Sequence, residues 1–272
     1  MIRKLFIITG ICLFLLSGLS YAADVTLEEV DDHRTTGEFF SNLTIKISAA
    51  DSSLDNAVSM RFIPKIAVDN LGNNLIEKEE TPDFKELTSW NYKDNRAQIE
   101  VKLKNPAREA KTVKELKGVL EVYNPSNDPG AVAVIENIKS KVGKKINSQA
   151  LEQQNVEIAL ITEEQAKEGT NPLESAMGEA LSEMMGGFFG MGDAVDTVMF
   201  TKKDPDKKVI ELKVFDKEGN EIERGGWMSS DDTYFTYNYN TKIPADAQMK
   251  IYLKTDKALN QIPIELSNVQ LP

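Results

Sequence analysis

Cysteine, histidine and long apolar runs are nearly missing from this 272-residue chain, and each shortage removes a class of function. The one cysteine is Cys12, and the one histidine is His33. Cys12 falls inside an apolar run near the start, so disulfides, Cys/His metal sites and cysteine nucleophiles have nothing to use beyond it. Any serine triad would have to employ His33, which lies in the charged stretch Asp31-Asp32-His33-Arg34, and the chain contains no nucleophile elbow. Positive charge is short as well. Lys and Arg number 32 against 43 Asp and Glu, a net charge of −11, and such a chain repels phosphate backbones and anionic lipid headgroups. Nucleic acid is therefore not an expected partner.

The single long apolar run, Leu5 to Leu19, follows Arg3 and Lys4 and leads into Ser20-Tyr21-Ala22. A positive start, an apolar middle and small residues at −3 and −1 of a cut predict a signal peptide over residues 1–22, with no stable membrane span once it is removed. Cys12 lies within the run and not at its end, so no lipid-bearing cysteine is expected. The predicted location is exported, periplasmic or secreted.

Period-two alternation is plentiful. Leu43, Ile45 and Ile47 share one strand face, as do Ala97, Ile99, Val101 and Leu103, and then Met249, Ile251 and Leu253. Met60, Phe62, Ile66 and Val68 continue the pattern around Pro64, which cannot donate to a ladder and so marks a sheet edge or a bulge. Lys65–Ile76 and Lys208–Ile222 repeat one design: an apolar strand, then Asp-x-x-Gly-Asn, then a return. Asp69 and Asp216 can bond the turn backbone, and Gly72 and Gly219 can take the positive φ it needs.

Further correspondences follow in order. Val132–Ile138 answers Val25–Val30, Asn155–Leu160 answers Asn42–Ile47, Val195–Phe200 answers Val58–Phe62, and Trp227 answers Trp90. This ordered repetition predicts a duplicated domain. The expected division is a first domain over 23–124, a polar linker over 125–130 and a second domain over 131–272. The fold class is all-β. Short alternating strands separated by turns resemble immunoglobulin-like or fibronectin III-like β-sandwiches in tandem, without the immunoglobulin cysteine pair. The chain is also similar in general look to exported bacterial envelope proteins of sandwich type. That resemblance implies a shape and carries no activity.

Residues 162–194 have no counterpart in the first half and read as an insertion with a short amphipathic helix. Asn171 and Pro172 mark its start, and Met177, Leu181, Met184 and Met185 fall on an apolar stripe followed by Phe188, Phe189 and Met191. The stripe would either close the core or dock a protein partner of the envelope. Copper(I) would want a denser methionine array with histidine, and Glu174, Glu179 and Glu183 oppose a membrane role.

Among the aromatics, Trp90 and Trp227 recur at matching positions, and Phe235, Tyr237 and Tyr239 share one strand face, so these are expected in the core. Tyr234 and Tyr252 remain for the surface, where they could stack on a sugar. The pairs Asp31/Asp32, Asp204/Asp206 and Asp231/Asp232 lack calcium-loop spacing and read as solvated turns. The run Lys139–Lys145 suits a sheet edge protected against pairing. No cofactor or metal is expected. The leading expectation is a non-catalytic interaction or structural protein working through 172–192 or a sheet edge; carbohydrate binding is the alternative, and carboxylate-dependent hydrolysis is third.

Overall fold

The computed structural model describes residues 23–35, 41–77, 81–167, 172–173, 194–230 and 233–272. The chain is all-β, and the α-helices among the described residues are two of five residues each, α1 (Gln149–Gln153) and α2 (Glu163–Lys167). The first half supplies β1 (Asp24–His33), β2 (Asn42–Ala50), β3 (Ser59–Asp69), β4 (Lys85–Glu86), β5 (Tyr92–Lys93), β6 (Arg96–Leu103) and β7 (Thr112–Tyr123). The second supplies β8 (Val132–Ile135), β9 (Lys144–Lys145), β10 (Glu157–Ile161), β11 (Asp196–Lys203), β12 (Val209–Phe215), β13 (Arg224–Ser230), β14 (Tyr234–Tyr239) and β15 (Gln248–Leu253), and β16 (Leu259–Gln270) ends the series.

These strands form four sheets in two pairs. One pair has orders β1-β2-β6-β5 and β16-β7-β3-β4; the other has β9-β10-β11-β14-β13 and β8-β15-β12. Period-two alternation sends every second residue of β6 inward. Ile45, Ile47, Ile99 and Val101 from one sheet share a buried cluster with Leu116, Leu120, Ile262 and Ile264 from its mate. Ile158, Phe200 and Tyr239 do the same with Leu212, Val214, Met249, Ile251 and Ile135 in the second pair. Each unit is thus two sheets around one core.

Strand order matches between the units. β1, β2, β6 and β5 stand as β10, β11, β14 and β13, and β7 and β3 stand as β15 and β12. The sequence alignment is one strand out of step here: β10 occupies the place of β1 and β11 that of β2, although the repeated turn is correctly matched. That turn is built twice with the same bonds. In the first, Asp69 Oδ1 accepts from the N–H of Asn73 at 2.9 Å and Oδ2 accepts from Asn73 Nδ2 at 2.8 Å. Asp216 accepts from Asn220 at 2.8 and 2.9 Å in the second. Gly72 and Gly219 take φ of 90° and 86°, which a side chain resists. Pro64 sits at a bulge where β3 shifts register against β7, between Pro64 and Ile66.

Final strands are exchanged between the units. β8 follows β7 in sequence, yet it pairs antiparallel with β15. β16 follows β15, yet it pairs antiparallel with β7 over Leu259–Gln270. Residues 259–270 therefore lie with the first unit, outside the continuous 131–272 stretch that the sequence suggests. Length favours this arrangement: β7 and β16 have 12 residues each, whereas β8 has four. Where the two crossing segments meet, Tyr123, Ala131, Tyr252 and Ala258 form a small buried cluster.

Candidate functional site

The segment Pro82–Glu86 stands as a rib between two clefts. β4 within it pairs with β3, Ser59 opposite Glu86 and Met60 opposite Lys85. Arg61 of β3 anchors the rib by donating from Nη1 to the Pro82 carbonyl at 3.3 Å and by placing its guanidinium 4.2 Å from the Phe84 ring. The same guanidinium is held by Glu121 at 2.6 Å, and Gln261 of β16 donates to the other Glu121 oxygen at 3.0 Å. This wall is fixed by groups from three strands before any ligand arrives.

On one side lies a cleft of about 750 Å³ in the first unit, within the range of small-molecule sites. Met60, Phe62, Ile99 and Leu120 make an apolar floor. Phe62 can lie there because Gly118 has no side chain; a Cβ on Gly118 would come within 2.3 Å of the Phe62 ring and 2.6 Å of the Ile63 carbonyl. Around the rim stand the carboxylates Glu28, Glu29, Asp83 and Glu100, and they are matched by the cations Lys46, Arg61, Lys85 and Lys102. Asn91 and Gln98 add amides. The rim is electrically balanced and rich in both donors and acceptors, which suits a neutral polar ligand.

Trp90 stands at this rim and is 90% exposed. Its loop is tied internally: the Thr88 N–H donates to Asn91 Oδ1 at 2.8 Å, Asn91 Nδ2 donates to the Glu86 carbonyl at 2.8 Å, and the Trp90 N–H donates to Thr88 Oγ1 at 3.3 Å. Asp94 and Asn95, both at positive φ, close the adjoining β5–β6 hairpin. A large indole is thus displayed in water on a backbone with little freedom left to lose, the arrangement that favours ligand contact.

On the other side of the rib, a cleft of about 360 Å³ opens where the units meet. Phe84 and Glu86 come from the first unit, and Glu211, Arg224, Trp227 and Tyr237 from the second. Trp227 is 59% exposed because β13 is an edge strand. Trp227 pairs with Tyr237 and shares its face, but the facing sheet has three strands among the described residues and Trp227 opens on the cleft. Arg224 lies 4.3 Å over the Tyr237 ring and 3.6 Å from Glu211. Burial pushes the Glu211 carboxyl up to about 7; Arg224 pulls it back in part, and Glu221 adds to the rise. Lys213 bridges Glu86 of one unit to Glu221 of the other.

Tyr234 and Tyr252, expected on the surface, are 6% and 8% exposed. Tyr234 is covered on the outer sheet face by α2, where it packs with Ile161, Ala166 and Met199. Thr162 and Gln165 start that helix as a reciprocal capping box, with bonds of 3.0 Å in each direction. Tyr252 is enclosed at the crossing of the units, its ring edge-on to Tyr123 at 6.4 Å, and burial pushes its phenol up to about 12. Trp90 and Trp227, expected in the core, are exposed. The seven residues Met177, Leu181, Met184, Met185, Phe188, Phe189 and Met191 lie outside the described residues, as do Asp231 and Asp232. Asp204 caps its own turn, accepting from the N–H groups of Lys208 and Val209 at 2.7 and 2.8 Å. Comparison with models of protein families, with curated proteins and with solved structures finds no match to this chain.

Proposed function

We propose that this chain is a non-catalytic binding protein of the bacterial envelope, exported by the signal peptide over 1–22, whose ligand is a carbohydrate. The observation that carries this reading is Trp90, an indole 90% exposed on a hydrogen-bonded loop at the rim of a charge-balanced cleft. A pyranose has an apolar C–H face that stacks on an indole, and hydroxyls around its edge that need both donors and acceptors. Asp83, Asn91 and Gln98 supply those at the rim. An immunoglobulin-like architecture is part of the proposal. It is supported by strand orders β1-β2-β6-β5 and β16-β7-β3-β4, which follow the order of the two sheets in such sandwiches.

A glycan array probed with the mature protein and with Trp90→Ala tests the reading. Binding to a neutral glycan that the variant loses, with thermal stability unchanged, is the expected result. An array with no bound glycan, alongside one envelope protein captured through residues 172–192, would replace carbohydrate by the protein-partner reading. New reducing ends released from a bound glycan, and lost in Glu211→Gln, would replace binding by hydrolysis.

A further inference from the structure

We infer that the two clefts are consecutive subsites for one linear neutral oligosaccharide, lying across the rib at Asp83 with one ring against Trp90 and another against Trp227. This rests on the carbohydrate reading above and extends it from a single ring to a chain.

The rib divides its residues between the clefts. Pro82 and Lys85 face the first, Phe84 and Glu86 face the second, and Asp83 borders both. Asp83 lines both volumes, so a ligand that passes over this residue from the first cleft meets the second. Each unit also carries one exposed tryptophan on or next to an edge strand. Trp90 precedes β5, the neighbour of β6, and Trp227 lies on β13, the neighbour of β14. An exposed indole therefore stands on each side of the rib.

Sharing of Asp83 argues for one ligand over two. Its carboxylate has two acceptor oxygens, so a chain crossing the rib can bond it from both clefts at once. The smaller cleft, about 360 Å³ against about 750 Å³, is sized to hold the end of a chain whose greater part lies in the larger one. Linkage through the chain makes the second contact intramolecular, so even modest stacking at Trp227 raises affinity.

The test is calorimetric titration of the whole mature chain with β-1,4-linked N-acetylglucosamine and glucose oligomers of two to six units. Stacking on one more indole corresponds to roughly a tenfold gain in affinity. The expected result is that gain on reaching the length that spans the rib, its removal by Trp227→Ala without loss of two-unit binding, and weakening at every length by Trp90→Ala. Equal affinity at all lengths, with Trp90 still required, overturns the chain while leaving the first cleft as a carbohydrate site. Absence of binding at every length overturns the carbohydrate reading itself. Both indoles are exposed, so both variants should keep the parent melting temperature, which separates lost contact from lost fold.

Discussion

The backbone N–H of Asn124 donates to the carbonyl of Ala258 at 2.8 Å, so the two segments that cross between the units are bonded to one another. Alongside them the Tyr123 hydroxyl donates to the Ala131 carbonyl at 2.7 Å. The crossing is a packed structure and not a pair of loose linkers.

A single unfolding transition follows from this arrangement. The first core is closed by Ile262 and Ile264 of β16, a strand tied to the second unit through residues 254–258. Loss of either unit exposes the core of the other. Scanning calorimetry should give one endotherm with equal calorimetric and van't Hoff enthalpies. Ile264→Ala, which empties a fully buried position, should lower stability by about 2–5 kcal/mol and move the whole transition. Two separate peaks, only one of them shifted, would contradict the coupling.

Gly118→Ala should damage the first cleft selectively. The new methyl meets the Phe62 ring and the Ile63 carbonyl, and only the ring can move. Repacking of this kind costs about 1–3 kcal/mol. Displaced into the cleft, Phe62 should weaken ligand binding more than Trp227→Ala does for the shortest oligomers. Denaturant titration and ligand titration of the same sample measure both effects.

Stability should fall as pH rises from about 4.5 to about 7 through Glu211. The folded protein keeps a proton on this carboxyl that the unfolded chain has released in that window, since its folded value is about 7 against an ordinary 4.5. Protonation therefore favours the fold below the window, and above it the ionised group costs up to about 3 kcal/mol. Arg224 and Glu221 face it and share the effect. Glu211→Gln should be more stable than the parent at pH 8 and should lack this slope. On the acid side, burial pushes Asp69 up, but the bonds from Asn73, Leu71 and Ala107 outweigh it and hold the carboxyl below its usual range. That contribution is present above the ordinary value of 3.8 and is lost as pH falls through the depressed one. Melting temperatures from pH 3 to pH 8 trace both limbs.

Trp90 and Trp227 are the only tryptophans, and both are exposed. Emission of the native protein should resemble an indole in water, be quenched readily by iodide, and change little on unfolding. Ligand binding should blue-shift the emission and protect it from iodide. A native spectrum already blue-shifted and protected would mean that the indoles are covered in solution.

Strands and the repeated turn were legible in the sequence because their signals are local. Alternation at Leu43, Ile45 and Ile47 and the Asp-x-x-Gly-Asn spacing each settle a few neighbouring dihedrals. What was not legible depends on distant partners. Nothing near Ile262 indicates that its strand pairs with Leu120 and not with its own neighbour β15. Tyr234 and Tyr252 alternate out of the core correctly, but a second layer covers them: α2 for one, the crossing of the units for the other. Trp90 carried a readable clue, since Thr88 and Asn91 on either side are turn formers. Its match to Trp227 in the repeated pattern points to shared core, but recurrence alone does not distinguish a buried ring from an exposed one, and both are exposed.

Exchange of β8 and β16 also sets an order of assembly during synthesis. β16 leaves the ribosome after every strand of the second unit, so the second core can close while β7 still has an open edge. The half that is made first is finished last. Its completing contact joins Thr112–Tyr123 to Leu259–Gln270, a closure across the whole second unit and the kind of distant pairing that slows folding. Until that contact forms, the edge of β7 stays open to pairing with another chain.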